Sequence, residues 1–337
     1  MATTELENFR ILGLLGEGSE FQAFLARDLD SSEEVVLKRI HPAIVGRGDH
    51  RLMEDNLRRG IALKLDSCNR ISNVSKVIGY TQQKNHDVYF GDSLKESYTV
   101  LVEERAKGIP LVGGVLDQVK GLPVCLPQNL FVLHPMRNSA KEACLDIILQ
   151  LLDTAESIWN AGLVPMDFGP HNVFFDPLHK KITLVDEGIM MHSNNSIINR
   201  DYLDLHDFYL EIISSYFTSG NPPHSVIGYR KSNGIVVVPD FTKTIDHLIN
   251  LYSSSDGNMA HMHTVEILRS IGSRTYSRFS EFKDHLVENV NLRMQEIEAT
   301  FDTGDVYTVW QDAIHLFYSP YWGKFLFDPK KDLSDYI

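Results

Sequence analysis

Apolar and polar positions alternate with a period of two over residues 9–40, which predicts three strands that each bury one face. Gly16 and Gly18 interrupt the alternation between the first two and predict a turn there. The period becomes helical over residues 48–65. Strand patterns return at 74–81 and 97–103, with 87–91 in their connection. Together these segments predict a five-stranded sheet with one helix. Glycine and proline residues from Ala106 to Gly114 then break the pattern and predict a connector. After an irregular stretch at 112–138, Cys144, Ile147, Ile148, Leu151, Leu152, Ala155, Ile158 and Trp159 recur at helical spacing. Ala161-Gly162 ends that helix. Further helices are predicted at 202–217, 242–252 and 279–300, the last followed by an aromatic-rich tail.

Candidate chemistry sits in the middle of the chain, in the segment VPMDFGPHNVFFDPLHKKITLVDEG. Asp167 is followed by Asn172, then by two β-type runs, and then by Asp186 with Gly188 behind it. A carboxylate can orient an acceptor hydroxyl and take its proton, while an amide and a second carboxylate can hold Mg²⁺ on ATP. The N-terminal strands offer a complement. Gly16 and Gly18 can adopt backbone angles closed to other residues and leave no side chain between the main chain and a phosphate. Lys38 ends the run Val35-Val36-Leu37-Lys38, where alternation turns it away from the apolar face and lets its ammonium pair with the α- and β-phosphates.

The order of glycine turn, lysine, Asp…Asn and Asp-x-Gly resembles that of the protein kinase-like superfamily, over roughly residues 9–223. The resemblance implies an α+β, bilobal fold: a small lobe of antiparallel strands at 1–104 and a mainly helical large lobe at 105–337, with ATP and Mg²⁺ between them. It implies that Asp167 faces the acceptor, that Asn172 and Asp186 ligate the metal, and that Lys38 holds the phosphates. Gly16, Gly18 and Phe21 form the loop over the phosphates. Glu103 offers adenine a backbone carbonyl, and Val102 borders its pocket. Glu54 shares a helix face with Leu57 and Ile61, which suits a glutamate that holds Lys38 or an ordinary solvated position. Asp204 resembles the buried aspartate that ties the catalytic loop in this family; Asp207 and a plain helix cap are the alternatives. His171 is placed to touch phosphate or to cap its loop.

The chain also departs from the family pattern. Phe21 stands at the third glycine position, where an aromatic ring can fold over the phosphates. Pro165-Met166-Asp167 lacks the arginine that would receive an activation-loop phosphate, and Gly169 lacks the usual lysine. Only residues 187–203 separate Asp186 from Asp204, too few for the usual peptide-docking segment and closer to small-molecule phosphotransferases. The expectation is therefore an atypical, constitutive Ser/Thr protein kinase acting on a protein substrate. A small-molecule hydroxyl acceptor, a nucleotide-binding pseudokinase or transfer of another group such as AMP are the alternatives.

Composition narrows the partners. A net charge of −13 argues against nucleic acid or an anionic membrane as a partner, since both need clustered Lys and Arg. Hydrophobic content of 43% with 23% charged residues is ordinary for a globular protein. The three cysteines, Cys68, Cys125 and Cys144, are too scattered for a disulfide framework or a zinc site. A reducing, cytoplasmic setting is expected, with secretion into a host cell left open.

Overall fold

The computed structural model describes residues 4–18, 21–45, 54, 57–58, 61–62, 65, 68–81, 87–91, 98–110, 140–165, 168–176, 179, 181–185, 190–192, 204–217, 230–232, 235–237, 240–253 and 258–300. The chain folds as two compact units, Met1–Ala106 with Gly188–Met190, and Lys107–Glu187 with Met191–Ile337. No helix among the described residues is long and apolar enough to cross a membrane.

The first unit is built on a five-stranded antiparallel sheet in the order β1-β2-β3-β5-β4. Its strands are β1 (Phe9–Glu17), β2 (Phe21–Asp28), β3 (Glu34–Ile40), β4 (Val77–Tyr80) and β5 (Leu101–Glu104). Period-two alternation sorts β3 between two apolar layers. Val35 and Leu37 join Leu6, Phe9, Ala26, Tyr98, Val100 and Val102 in one core. Ile40 points the other way and packs with Ile44 and Phe21. Ile44 belongs to the short helix α1 (Pro42–Val45). Within the predicted 48–65 helix, residues 54, 57, 58, 61, 62 and 65 are helical. Leu57 and Ile61 bury against Val77 and Leu101, with Phe21 alongside. The connection between β4 and β5 holds the helical turn α2 (Asp87–Phe90), whose Tyr89 and Phe90 pack against the first core.

In the second unit β6 (Ile109–Pro110), β8 (Val173–Asp176) and β9 (Lys181–Leu184) form a three-stranded sheet. Gly108 enters β6 at φ +88°, and a Cβ there would lie 1.9 Å from the Phe175 carbonyl oxygen. Only glycine permits that approach. Helix α3 (Ala140–Asn160) leads into the short strand β7 (Leu163–Pro165) through Gly162, which takes φ +74° and ends the helix. Helix α4 (Leu205–Tyr216) is buried along nearly its whole length. Helices α5 (Phe241–Ser253), α6 (Met259–Gly272) and α7 (Phe279–Thr300) pack in succession, and α7 also lies against α3. Three of the predicted helices correspond to α3, α4 and α7 and a fourth to α5, whereas α6 and the hairpin of β10 (Arg230–Ser232) and β11 (Ile235–Val237) were not expected. The protein is thus mixed α and β, with an antiparallel sheet of five strands and several helices.

Candidate functional site

The glycine turn joins β1 to β2. Bulges between Ile11 and Gly13 and between Leu14 and Gly16 shift the register of β1 as the turn is approached. The Gly18 N–H donates to the Phe21 carbonyl at 2.8 Å, closing the turn. Neither Gly16 nor Gly18 takes a left-handed φ, and among the described residues the nearest atom to a Cβ built on Gly18 is the Phe21 carbonyl oxygen at 3.9 Å, with none within 4 Å for Gly16. Their backbone angles therefore do not demand glycine; what glycine contributes is open space beside the main chain. Glu17 lies between them, receives a hydrogen bond from the Gln22 amide at 3.1 Å, and meets His41 Nε2 at 3.4 Å. The Gln22 bond, with His41 beside it, holds the Glu17 carboxyl below its ordinary pKa.

Lys38 stands opposite Ala23 of β2 and Leu101 of β5 in the ladder. It is only 8% exposed. Its Nζ lies 5.0 Å from the centroid of the Phe21 ring, within range of a cation–π interaction. Phe21 also packs against two apolar clusters, Ile40 with Ile44, and Leu57 with Ile61, Val77 and Leu101.

Glu54 is also 8% exposed. Its carboxylate accepts from the Thr99 N–H at 2.9 and 3.0 Å, from the Thr99 hydroxyl, and from Arg58 Nε at 3.0 Å. These bonds satisfy a buried backbone donor at the entrance to β5, a partnership between positions 45 residues apart that local spacing does not signal. Glu103 is buried in the interior strand β5, facing Val36 and Val77 across the ladder, and Val102 beside it is in the core.

In the second unit the chain before Asn172 is anchored by Phe168, which is fully buried and makes edge-on contacts with Phe208 and Tyr216 of α4 at 5.5 and 5.7 Å. Pro170–Asn172 forms one 3-10 turn, with the Asn172 N–H donating to the Gly169 carbonyl at 3.0 Å. The Asn172 carbonyl accepts from the Val185 N–H at 2.7 Å, and the β8–β9 ladder continues from Val173 opposite Leu184. Asn172 is 6% exposed. The bond from Val185 therefore joins the backbone at Asn172 to the residue just before Asp186. Asp167 and Asp186, the other two predicted residues of this half, lie outside the described residues, as does Gly188.

Asp204 caps α4, accepting from the N–H groups of His206 and Asp207, and it also pairs with Arg274. Asp207 is buried and returns a bond to the Asp204 N–H, completing a capping box. Of the two, Asp207 has the burial and Asp204 the cap. Lys38, Gly16, Gly18, Phe21, Glu54 and Glu103 thus belong to the first unit and Asn172 to the second.

No protein-family model matches the chain, and no curated protein matches it in sequence.

Proposed function

We propose that this chain is an ATP- and Mg²⁺-dependent phosphotransferase, an atypical Ser/Thr protein kinase that moves the γ-phosphate of ATP to a hydroxyl. The observation that carries the reading is the hydrogen bond from Val185 to Asn172, because it ties together the two chain segments that end in the proposed metal ligands. An amide oxygen from Asn172 and a carboxylate from Asp186 are hard donors that suit Mg²⁺. Bound to them, the ion would neutralise charge on the phosphates. Lys38, on a strand of a firmly paired sheet, holds the α- and β-phosphates, and the open space beside Gly16 and Gly18 admits them. The β5 backbone at Glu103 meets adenine.

The acceptor oxygen attacks the γ-phosphorus, the bond to the β–γ bridging oxygen breaks, and ADP leaves. Asp167 orients the acceptor hydroxyl and takes its proton. In a loose transition state this work is mostly positioning and electrostatics. The short span from Asp186 to Asp204 favours a second reading, with a small-molecule hydroxyl as acceptor.

Incubation with γ-labelled ATP tests both. The protein kinase reading expects label on the chain itself or on a generic protein, lost in Asp167→Ala. The small-molecule reading expects label on a metabolite only. Transfer undiminished in Asp167→Ala would remove Asp167 from the reaction.

A further inference from the structure

Phe21 and Lys38 sit diagonally across the β2–β3 ladder. Phe21 is opposite Ile40, and Lys38 is opposite Ala23. Diagonal neighbours of this kind are within reach of aromatic and long side chains. Alanine at position 23 is small enough to leave the lysine stem room to turn toward the ring. The ring is restrained by packing against two apolar clusters, Ile40 with Ile44, and Leu57 with Ile61, Val77 and Leu101. Its backbone is fixed by the Gly18 bond. The Glu54 carboxylate, on the same helical face as Leu57 and Ile61, is committed to Thr99 and Arg58.

We infer that Phe21 is a positioning residue for Lys38, its ring face aligning the ammonium toward the nucleotide phosphates, a task the Glu54 carboxylate does not perform. This rests on the nucleotide reading of the site given above. A ring differs physically from a carboxylate in this task. It attracts the ammonium through its quadrupole and brings no counter-charge of its own. The aromatic residue at the third glycine position then serves the lysine from within the sheet.

The test combines calorimetric titration of the full chain with ATP·Mg²⁺ and NMR of ¹³Cε-labelled lysines, the Lys38 signal being assigned by its absence in Lys38→Arg. Wild type is expected to show the Lys38 signal shifted upfield by the ring, with or without nucleotide. Phe21→Leu should abolish that shift and weaken ATP·Mg²⁺ about threefold to tenfold, whereas Phe21→Tyr should preserve both. Glu54→Gln should weaken binding less than Phe21→Leu does. Wild-type affinity in Phe21→Leu, an unshifted Lys38 signal in wild type, or a larger loss in Glu54→Gln than in Phe21→Leu would each overturn the inference. Absence of ATP·Mg²⁺ binding by wild type, with the Lys38 shift present, would instead strike the nucleotide reading and leave the contact itself established.

Discussion

Lys38 and Arg39 are consecutive cations on β3, both nearly out of contact with water, yet the two faces of the sheet treat them differently. Arg39 is 3% exposed. It bonds to Gln22 Oε1 at 2.9 and 3.1 Å and to the Tyr98 hydroxyl at 3.0 Å. Its guanidinium also lies over the rings of Phe24, Phe90 and Tyr98, at 5.3, 4.2 and 5.7 Å. That planar fork is matched by a fixed set of partners, the arrangement arginine is suited to. Lys38 meets an aromatic face on the opposite side of the sheet. The contrast teaches that burial of a cation does not by itself mark function. Arg39 is held as part of the frame that carries β2, β3 and the start of β5, while Lys38 is the neighbour whose charge our reading assigns to a ligand.

Substitution at the two positions should separate these roles. Arg39→Ala removes a buried bonding network and its ring contacts, and should lower stability by about 3 kcal/mol in urea-induced unfolding. Lys38→Met, close in length and apolar, keeps the packing of the stem and should cost less than Arg39→Ala. Equal losses at the two positions would erase the comparison.

Glu54 gives the next largest effect. Glu54→Ala leaves the buried Thr99 N–H without its acceptor and should cost about 2 kcal/mol by the same unfolding measurement. Glu54→Gln keeps an oxygen for that N–H and should cost less.

Two partly buried histidines extend the comparison to the second unit. Burial holds His206 and His263 below the ordinary histidine pKa, against the opposing pull of Asp207 on the first and of Glu288 and Glu266 on the second. His206 Nε2 and His263 Nδ1 have no hydrogen-bond partner among the described residues. As pH falls through about 6.5 the unfolded chain takes up protons before the folded one does. The contribution of this pair is therefore complete above that value and declines below it. The thermal midpoint should fall between pH 7.5 and 5.5, and a His206→Asn, His263→Asn double variant should flatten that fall modestly.

Much of the first unit was legible because its strands bury one face and its turns contain glycine, so period and punctuation agree. The long helices α3 and α7 were legible for the matching reason, a sustained apolar stripe. Helix α6 was hidden because Ala260 and Thr264 share its buried side with Val265, Ile267, Leu268 and Ile271. Small and polar residues there blur the stripe, although Asn258 was available as a cap. In the candidate site, sequence order singles out Lys38 and Asn172 as candidates but cannot reveal what touches them. The bond between Glu54 and Thr99 and the meeting of Phe21 with Lys38 depend on sheet register and helix docking, which local spacing does not encode. The pattern at Gly16 and Gly18 points to backbone freedom, yet neither takes a left-handed φ.

The most direct test of the central claim is calorimetric titration of ATP·Mg²⁺ into the wild-type chain, Lys38→Met and Asn172→Ala, with circular dichroism to establish that all three are folded. The account predicts saturable binding by wild type, and a loss of about tenfold or more in each variant. No binding by folded wild type, or equal binding by all three, would contradict it.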